Sequence, residues 1–295
     1  MFVIKLRGGL GNQMFQYALA KSLMLSTGQE VFLDTSLPHY RSETKRHYAL
    51  DCFQLDKKIK FVDIACLPLV LRDPASDLCK KLFLKLRLRQ LFTKDWHYVL
   101  ERANGYDAKL VAMRGLVYLE GYWQTERYFT DYRESLLADF SLLNASPGFI
   151  RIADYMKATS SISLHVRRGD YASSESVKAQ HNLCSLEYYQ EAIKSIKTKV
   201  SEPKFFIFSD DPDWARANLP LEPHEIEIVS NQSLADHEEL ILMSHCQHQI
   251  IANSSFSWWG AWLNKNTDKI VIAPKQWFSH DREAIDLMPA SWLTI

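Results

Sequence analysis

No segment of this chain stays apolar for the roughly 20 residues that a bilayer-spanning helix requires, and Met1-Phe2-Val3-Ile4 enters a strand pattern at once. The basic region, apolar stretch and small-residue cleavage site of a secretory leader are missing from that start. Cysteine is scarce and odd in number: Cys52, Cys66, Cys79, Cys184 and Cys246 form no C-x-x-C pair. That spacing argues against a zinc ribbon and against the dense disulfide scaffold of a small secreted domain. Net charge is absent too, since 35 Lys and Arg balance 35 Asp and Glu. No whole-chain field recruits nucleic acid, so any anion must be held by a local cluster. A Walker-type G-x-x-x-x-G-K-[ST] is also missing, which argues against the phosphate-loop hydrolases. The expectation is a cytoplasmic protein with reduced thiols, no structural metal or disulfide, and no nucleic-acid partner.

What is present is an ordinary globular composition, 47% hydrophobic and 24% charged over 295 residues. A chain of that length buries about three quarters of its unfolded surface, enough for one large or two medium domains. The opening reads as a strand Phe2 to Leu6, a glycine turn Gly8-Gly9-Leu10-Gly11, a helix from Asn12 to Ser26 and a strand Glu30 to Leu33. From Thr35 to Gly115 the pattern blurs, with mixed charge and scattered prolines, and an irregular helical segment is expected there. After Pro147-Gly148 the alternation sharpens. Strands are expected at Ile162 to Val166, Phe205 to Phe208, Ile226 to Val229, Gln249 to Ala252 and Ile270 to Ala273. Helices are expected at Leu186 to Lys199, near Trp214, at Ala235 to His245 and at Phe256 to Leu263. Strands alternating with helices imply a parallel sheet covered on both faces. The fold class is therefore α/β, as two Rossmann-like domains, residues 1–150 and 151–295, facing across a cleft. In such sheets ligands lie beyond the carboxyl ends of the strands.

Four stretches stand at or near such ends. In His165-Val166-Arg167-Arg168-Gly169-Asp170-Tyr171, two adjacent arginines follow a strand. Guanidinium groups bind phosphate oxygens bidentately and stay charged, so the pair suits a diphosphate; a solvated basic turn pairing with nearby carboxylates is the other reading. Phe205 to Phe208 runs into Ser209-Asp210-Asp211, whose carboxylates can meet sugar hydroxyls, a metal or the arginines, or simply cap the helix that Pro212 opens. Asn253-Ser254-Ser255-Phe256 leads from a strand into an aromatic helix, where orphan N–H groups and the helix dipole favour a phosphate. Trp258, Trp259 and Trp262 of that helix read as core packing. Gly9, Gly11 and Asn12 lie in a turn that only partly matches a dinucleotide fingerprint, because Met14 stands where the third glycine belongs. That turn lets backbone approach a ligand. Leu78 to Phe92 mixes Lys80, Lys81, Lys85, Arg87 and Arg89 with leucines; it reads either as a surface for peripheral membrane contact or as a helix packed on the first domain.

Taken together, Gly8 to Tyr17, His165 to Tyr171 and Asn253 to Trp262 resemble the bacterial α-1,2-fucosyltransferases of glycosyltransferase family 11. The resemblance implies a GT-B fold, with an N-terminal acceptor-side domain and a C-terminal donor domain. It implies GDP-fucose as donor substrate, no cofactor or metal, and inversion at the anomeric carbon. The implied acceptor is a galactose-terminated oligosaccharide, such as a lipid-linked O-antigen repeat made at the inner membrane, with its 2-hydroxyl as the nucleophile. By position, Arg167 would hold the β-phosphate with Arg168 near it. His165 and Glu239 would face guanine and ribose, and Ser255 with Asn253, Ser254 and Phe256 would complete the phosphate cradle. Asp210 and Asp211 match an acidic pair near the nucleotide. Glu239 stands where the family more usually has Asp. Asp170 is the first candidate for catalytic base, and Glu175 the second, by its offset from His165.

Overall fold

The computed structural model describes residues 1–36, 47–68, 71, 95–101, 105–168, 184–230, 233–278 and 286–295. The chain divides into two compact units, Met1–Ser141 and Leu142–Ile295.

The first unit holds strands β1 (Phe2–Lys5), β2 (Val31–Asp34), β3 (Lys60–Phe61), β4 (Trp96–Leu100) and β5 (Leu116–Glu120), with helices α1 (Leu10–Thr27), α2 (Ala108–Val111) and α3 (Arg133–Asp139). All five strands pair in parallel, in the order β3-β2-β1-β5-β4. β1 is buried along its whole length, as a central strand covered on both faces must be. The helical expectation for Thr35 to Gly115 is corrected for the described residues of that stretch, and the rest of it lies outside them. The described part of that stretch supplies β3, β4, a 3-10 turn at Ile64–Cys66 and only the one-turn α2. Trp96-His97-Tyr98-Val99-Leu100 is aromatic and β-branched, which suits a strand. It escaped notice because this edge strand is partly exposed along its length, leaving no clean alternation to read.

The second unit opens with α4 (Pro147–Lys157), capped by Ser146, whose Oγ accepts from the Phe149 N–H at 3.1 Å. Then come β6 (Ser160–Val166), α5 (Leu186–Lys197), β7 (Pro203–Ser209), α6 (Pro212–Asn218), β8 (Ile226–Ile228), α7 (Asp236–His245), β9 (His248–Ile250), α8 (Ser255–Trp262), β10 (Val271–Ala273) and β11 (Leu293–Thr294). The six strands form one parallel sheet in the order β11-β10-β9-β6-β7-β8. Five of them are the strands expected from the sequence; two-residue β11 is too short to leave a pattern.

The chain runs outward from β6 to β8, returns to the other side of β6 as β9, and runs outward again to β11. The reversal falls between β6 and β9, and open α/β sheets bind ligands at such a switch point. Below that edge Ile162, Leu164, Val166, Phe205, Ile207, Ile250 and Ile272 form a buried core. Trp258 and Trp259 are fully buried, and the Trp258 indole donates to the Leu287 carbonyl at 2.9 Å. These tryptophans serve the fold. Among the described residues Cys52, Cys66, Cys184 and Cys246 are free thiols, and no helix is long and apolar enough to cross a membrane.

Candidate functional site

The carboxyl edge of the second sheet gathers most of the residues singled out above. β6 delivers His165 and, just past its end, Arg167 and Arg168. His165 is 6% exposed and its Nδ1 has no hydrogen-bond partner among the described residues. Burial, with Arg167 adding to it, pushes the imidazole down to about 3, so this histidine is neutral at physiological pH. Its ring lies 5.9 Å from that of Phe256, in the first turn of α8. That contact ties the end of β6 to the start of the helix that follows β9. Ser254 caps α8, its Oγ accepting from the Phe256 N–H at 3.3 Å. The amides of Ser255 and Ser257 stand in the same first turn, where a helix offers no internal acceptor.

Arg168 is held by three neighbours. The Arg168 N–H donates to Asp210 Oδ1 at 2.7 Å, its Nε lies 3.4 Å from Asp211 Oδ2, and its guanidinium sits over the Trp214 ring. Asp211 also caps α6 by accepting from the Trp214 N–H at 3.1 Å. Asp210 and Asp211 thus position Arg168 and open a helix, two of the roles their sequence left open. Asn253 is likewise engaged: its Nδ2 donates to the Trp277 carbonyl at 3.2 Å, and Cys184 Sγ donates to its Oδ1 at 3.5 Å.

A second chain of contacts runs from β7 through β8 to α7. The Ser209 N–H donates to Ser230 Oγ at 2.9 Å, and that hydroxyl donates to Glu239 Oε2 at 2.9 Å. Burial, assisted by Asp236 and opposed by the Ser230 hydrogen bond, raises the Glu239 carboxyl to about 7. Its neighbour Glu238 is committed elsewhere, accepting from the Ser146 N–H at 2.7 Å and the Ala235 N–H at 3.3 Å. Glu239 is therefore the carboxylate of this turn that faces the strand ends. Ser230 and Trp214 were not singled out from the sequence; Ser230 follows a strand, so the strand-end rule applied to β8 would have found it.

Gly9, Gly11 and Asn12 belong to the first unit. Gly8 is left-handed at φ 75°, and a Cβ there would come within 2.5 Å of Asn12 Nδ2. The amides that follow brace this turn. Gln13 donates to the Gly8 and His47 carbonyls at 3.0 and 2.8 Å, and Asn12 Oδ1 accepts from Gln124 Nε2 at 2.8 Å. Asp170, Glu175 and the basic stretch Leu78 to Phe92 lie outside the described residues. Among the described residues no group of three or more His, Cys, Asp or Glu is placed to hold a metal ion.

A family model described as glycosyl transferase family 11 matches residues 1–295. An α-1,2-colitosyltransferase of Escherichia coli is 31% identical over 305 residues, spanning 99% of this chain and 98% of its own. The O-antigen biosynthesis glycosyltransferase WbnK, also of Escherichia coli, is 31% identical over 316 residues, spanning 98% and 99%. A mouse protein, galactoside 2-α-L-fucosyltransferase Sec1, is 23% identical over 271 residues, spanning 89% of this chain and 64% of its own.

Proposed function

The chain belongs to glycosyltransferase family 11, and from that premise we propose that it transfers L-fucose from GDP-fucose to the 2-hydroxyl of a terminal β-galactoside in a cell-surface glycan such as O-antigen. One observation carries the reading: His165 and Phe256 bring the end of β6 to the first turn of α8. The cation of Arg167 and the N–H groups of that turn then belong to the switch-point edge of one sheet, where a diphosphate is met by both.

The reaction is a single displacement with inversion. The galactose 2-hydroxyl attacks the anomeric carbon of fucose as the bond from that carbon to the β-phosphate oxygen breaks, and GDP leaves. The leaving diphosphate gains negative charge, and preorganised donors stabilise such charge without a metal. Arg167 and the α8 amides supply them. Glu239 accepts from guanine N–H groups, with Ser230 holding its carboxylate. Asp170 takes the hydroxyl proton, with Glu175 as the second candidate. The acceptor is a galactose-terminated oligosaccharide carried on a lipid, met by peripheral contact at the membrane surface.

The name of the colitosyltransferase relative favours a second donor, a nucleotide-linked colitose. The experiment is incubation of the purified protein, with EDTA present, with GDP-fucose or GDP-colitose and lactose or N-acetyllactosamine, scoring GDP release and product by mass spectrometry. Fucosylated product supports the first reading, and colitosylated product alone supports the second. Binding of neither GDP-sugar removes the donor assignment.

A further inference from the structure

The first sheet has a switch point of its own, between β1 and β5, and the chain leaving β5 there is unusual. Trp123 is left-handed at φ 58°, a conformation that a bulky residue adopts only when its surroundings impose it. Glu101, at the end of β4, imposes it. One carboxylate oxygen accepts from the Tyr122 N–H at 2.7 Å and the other from the Trp123 N–H at 3.0 Å. Gly121 makes room for the clamp, since a Cβ there would fall 2.5 Å from Glu101 Cβ and 2.9 Å from Trp123 Cε2. Gln16 ties the turn to β1, accepting from the Arg7 N–H and donating to the Gly121 carbonyl, both at 2.9 Å.

The Trp123 ring packs edge-on against that of Tyr128, 6.2 Å away, and two further features mark this braced turn. The Trp123 side chain is 3% exposed, yet its indole N–H has no hydrogen-bond partner among the described residues; a buried indole N–H ordinarily finds one. Tyr122, beside it, is 37% exposed. A strained backbone, an unpaired buried donor and an exposed aromatic ring meet at the edge where a parallel sheet binds ligands. A ring to stack on and a donor to spend suit a pyranose, whose C–H face is apolar and whose rim carries hydroxyls.

We propose that Tyr122 and Trp123 form a subsite for the acceptor sugar, an assignment that rests on the glycosyl-transfer reading above. The Tyr122 ring packs on the face of the acceptor galactose. As that ring shifts to admit the sugar, one galactose hydroxyl other than the nucleophile accepts from the Trp123 indole N–H. Both residues are specificity determinants for the acceptor and leave donor binding to the other unit.

The test uses the full chain with GDP-fucose and lactose, together with lactose made 3-, 4- or 6-deoxy on its galactose. Tyr122→Ala is expected to raise the acceptor KM about tenfold, with GDP affinity by calorimetry within about twofold of wild type. In wild type one deoxy acceptor is expected to lose about tenfold in kcat/KM, and in Trp123→Phe that same deletion should cost nothing further. A merely structural tryptophan would leave the pattern of deoxy penalties intact. Unchanged acceptor KM in Tyr122→Ala, or identical deoxy penalties in wild type and Trp123→Phe, overturns the subsite. If Trp123→Phe does not fold, judged by its melting curve, the exposed Tyr122 variant decides alone. A wild-type protein that turns over no GDP-sugar overturns the functional reading itself, before any variant is compared.

Discussion

The guanidinium carbon of Arg168 sits 4.0 Å above the centre of the Trp214 ring. A cation held over an indole and beside Asp211 is a brace between β6 and α6.

Arg168→Ala should therefore act on stability. A partly exposed cation–π contact with a long ion pair contributes about 1 kcal/mol, so the melting temperature is expected to fall by about 2–4 °C. Arg167→Ala should act on the donor instead, weakening GDP by about 10- to 100-fold through loss of a charge-assisted hydrogen bond. Thermal melts and GDP titrations of both variants check the division; the reverse assignment of effects would show that Arg168 is the phosphate ligand.

With Glu239 at the guanine as proposed, GDP binding is expected to depend on pH. Its carboxyl is raised to about 7 in the folded chain, so below that pH it is protonated before the nucleotide arrives. Accepting from guanine N–H groups favours the ionised form, and binding must then expel a proton. GDP affinity is expected to level off above pH 7 and to fall toward tenfold per unit below it. Calorimetry at pH 6 in two buffers of different ionisation heat should detect proton release. Glu239→Gln should flatten the profile; a wild-type profile already flat would remove Glu239 from the guanine site.

His165 makes stability depend on pH over the acid range. Its folded value is about 3 against an ordinary 6.5, so the unfolded chain takes up a proton that the folded chain refuses. The stability from keeping this imidazole neutral is fully present above pH 6.5 and is lost as pH falls from there toward 3. The slope is about 1.4 kcal/mol per unit. Urea unfolding of wild type and His165→Phe at pH 7.5 and 5.5 compares the two slopes, and the variant is expected to lose less on acidification.

Asp170→Asn should lower turnover by at least about a hundredfold while donor affinity changes little, as expected for removal of a general base. Steady-state kinetics with a GDP titration separates the two quantities. Full activity in that variant would transfer the role to Glu175 or to a reaction driven by the leaving group alone.

The second half of the fold was legible in the residues because buried parallel strands are short continuous apolar runs. Ile162 to Val166 and Phe205 to Phe208 stand out between helices with Ser or Asp caps. The strand-end rule then led to His165, Arg167 and Ser255 without coordinates. β4 was not legible, since a partly exposed edge strand has no such run. Trp123 was not legible either, because its backbone is imposed by Glu101, more than 20 residues earlier in the chain.

By itself, then, the sequence determined the parallel α/β class, the family and the strand ends where chemistry can occur. These rest on local patterns: apolar runs, glycine turns and caps within a few residues of one another. Only the tertiary structure decided what each side chain at those ends does. It paired Arg168 with Asp211 and Trp214, committed Glu238 to Ser146, and turned Glu239 toward Ser230. The partners at a parallel sheet edge come from strands separated by whole crossover connections. Burial, and the acidity it sets for His165 and Glu239, belongs to that assembled edge and to no stretch of sequence alone.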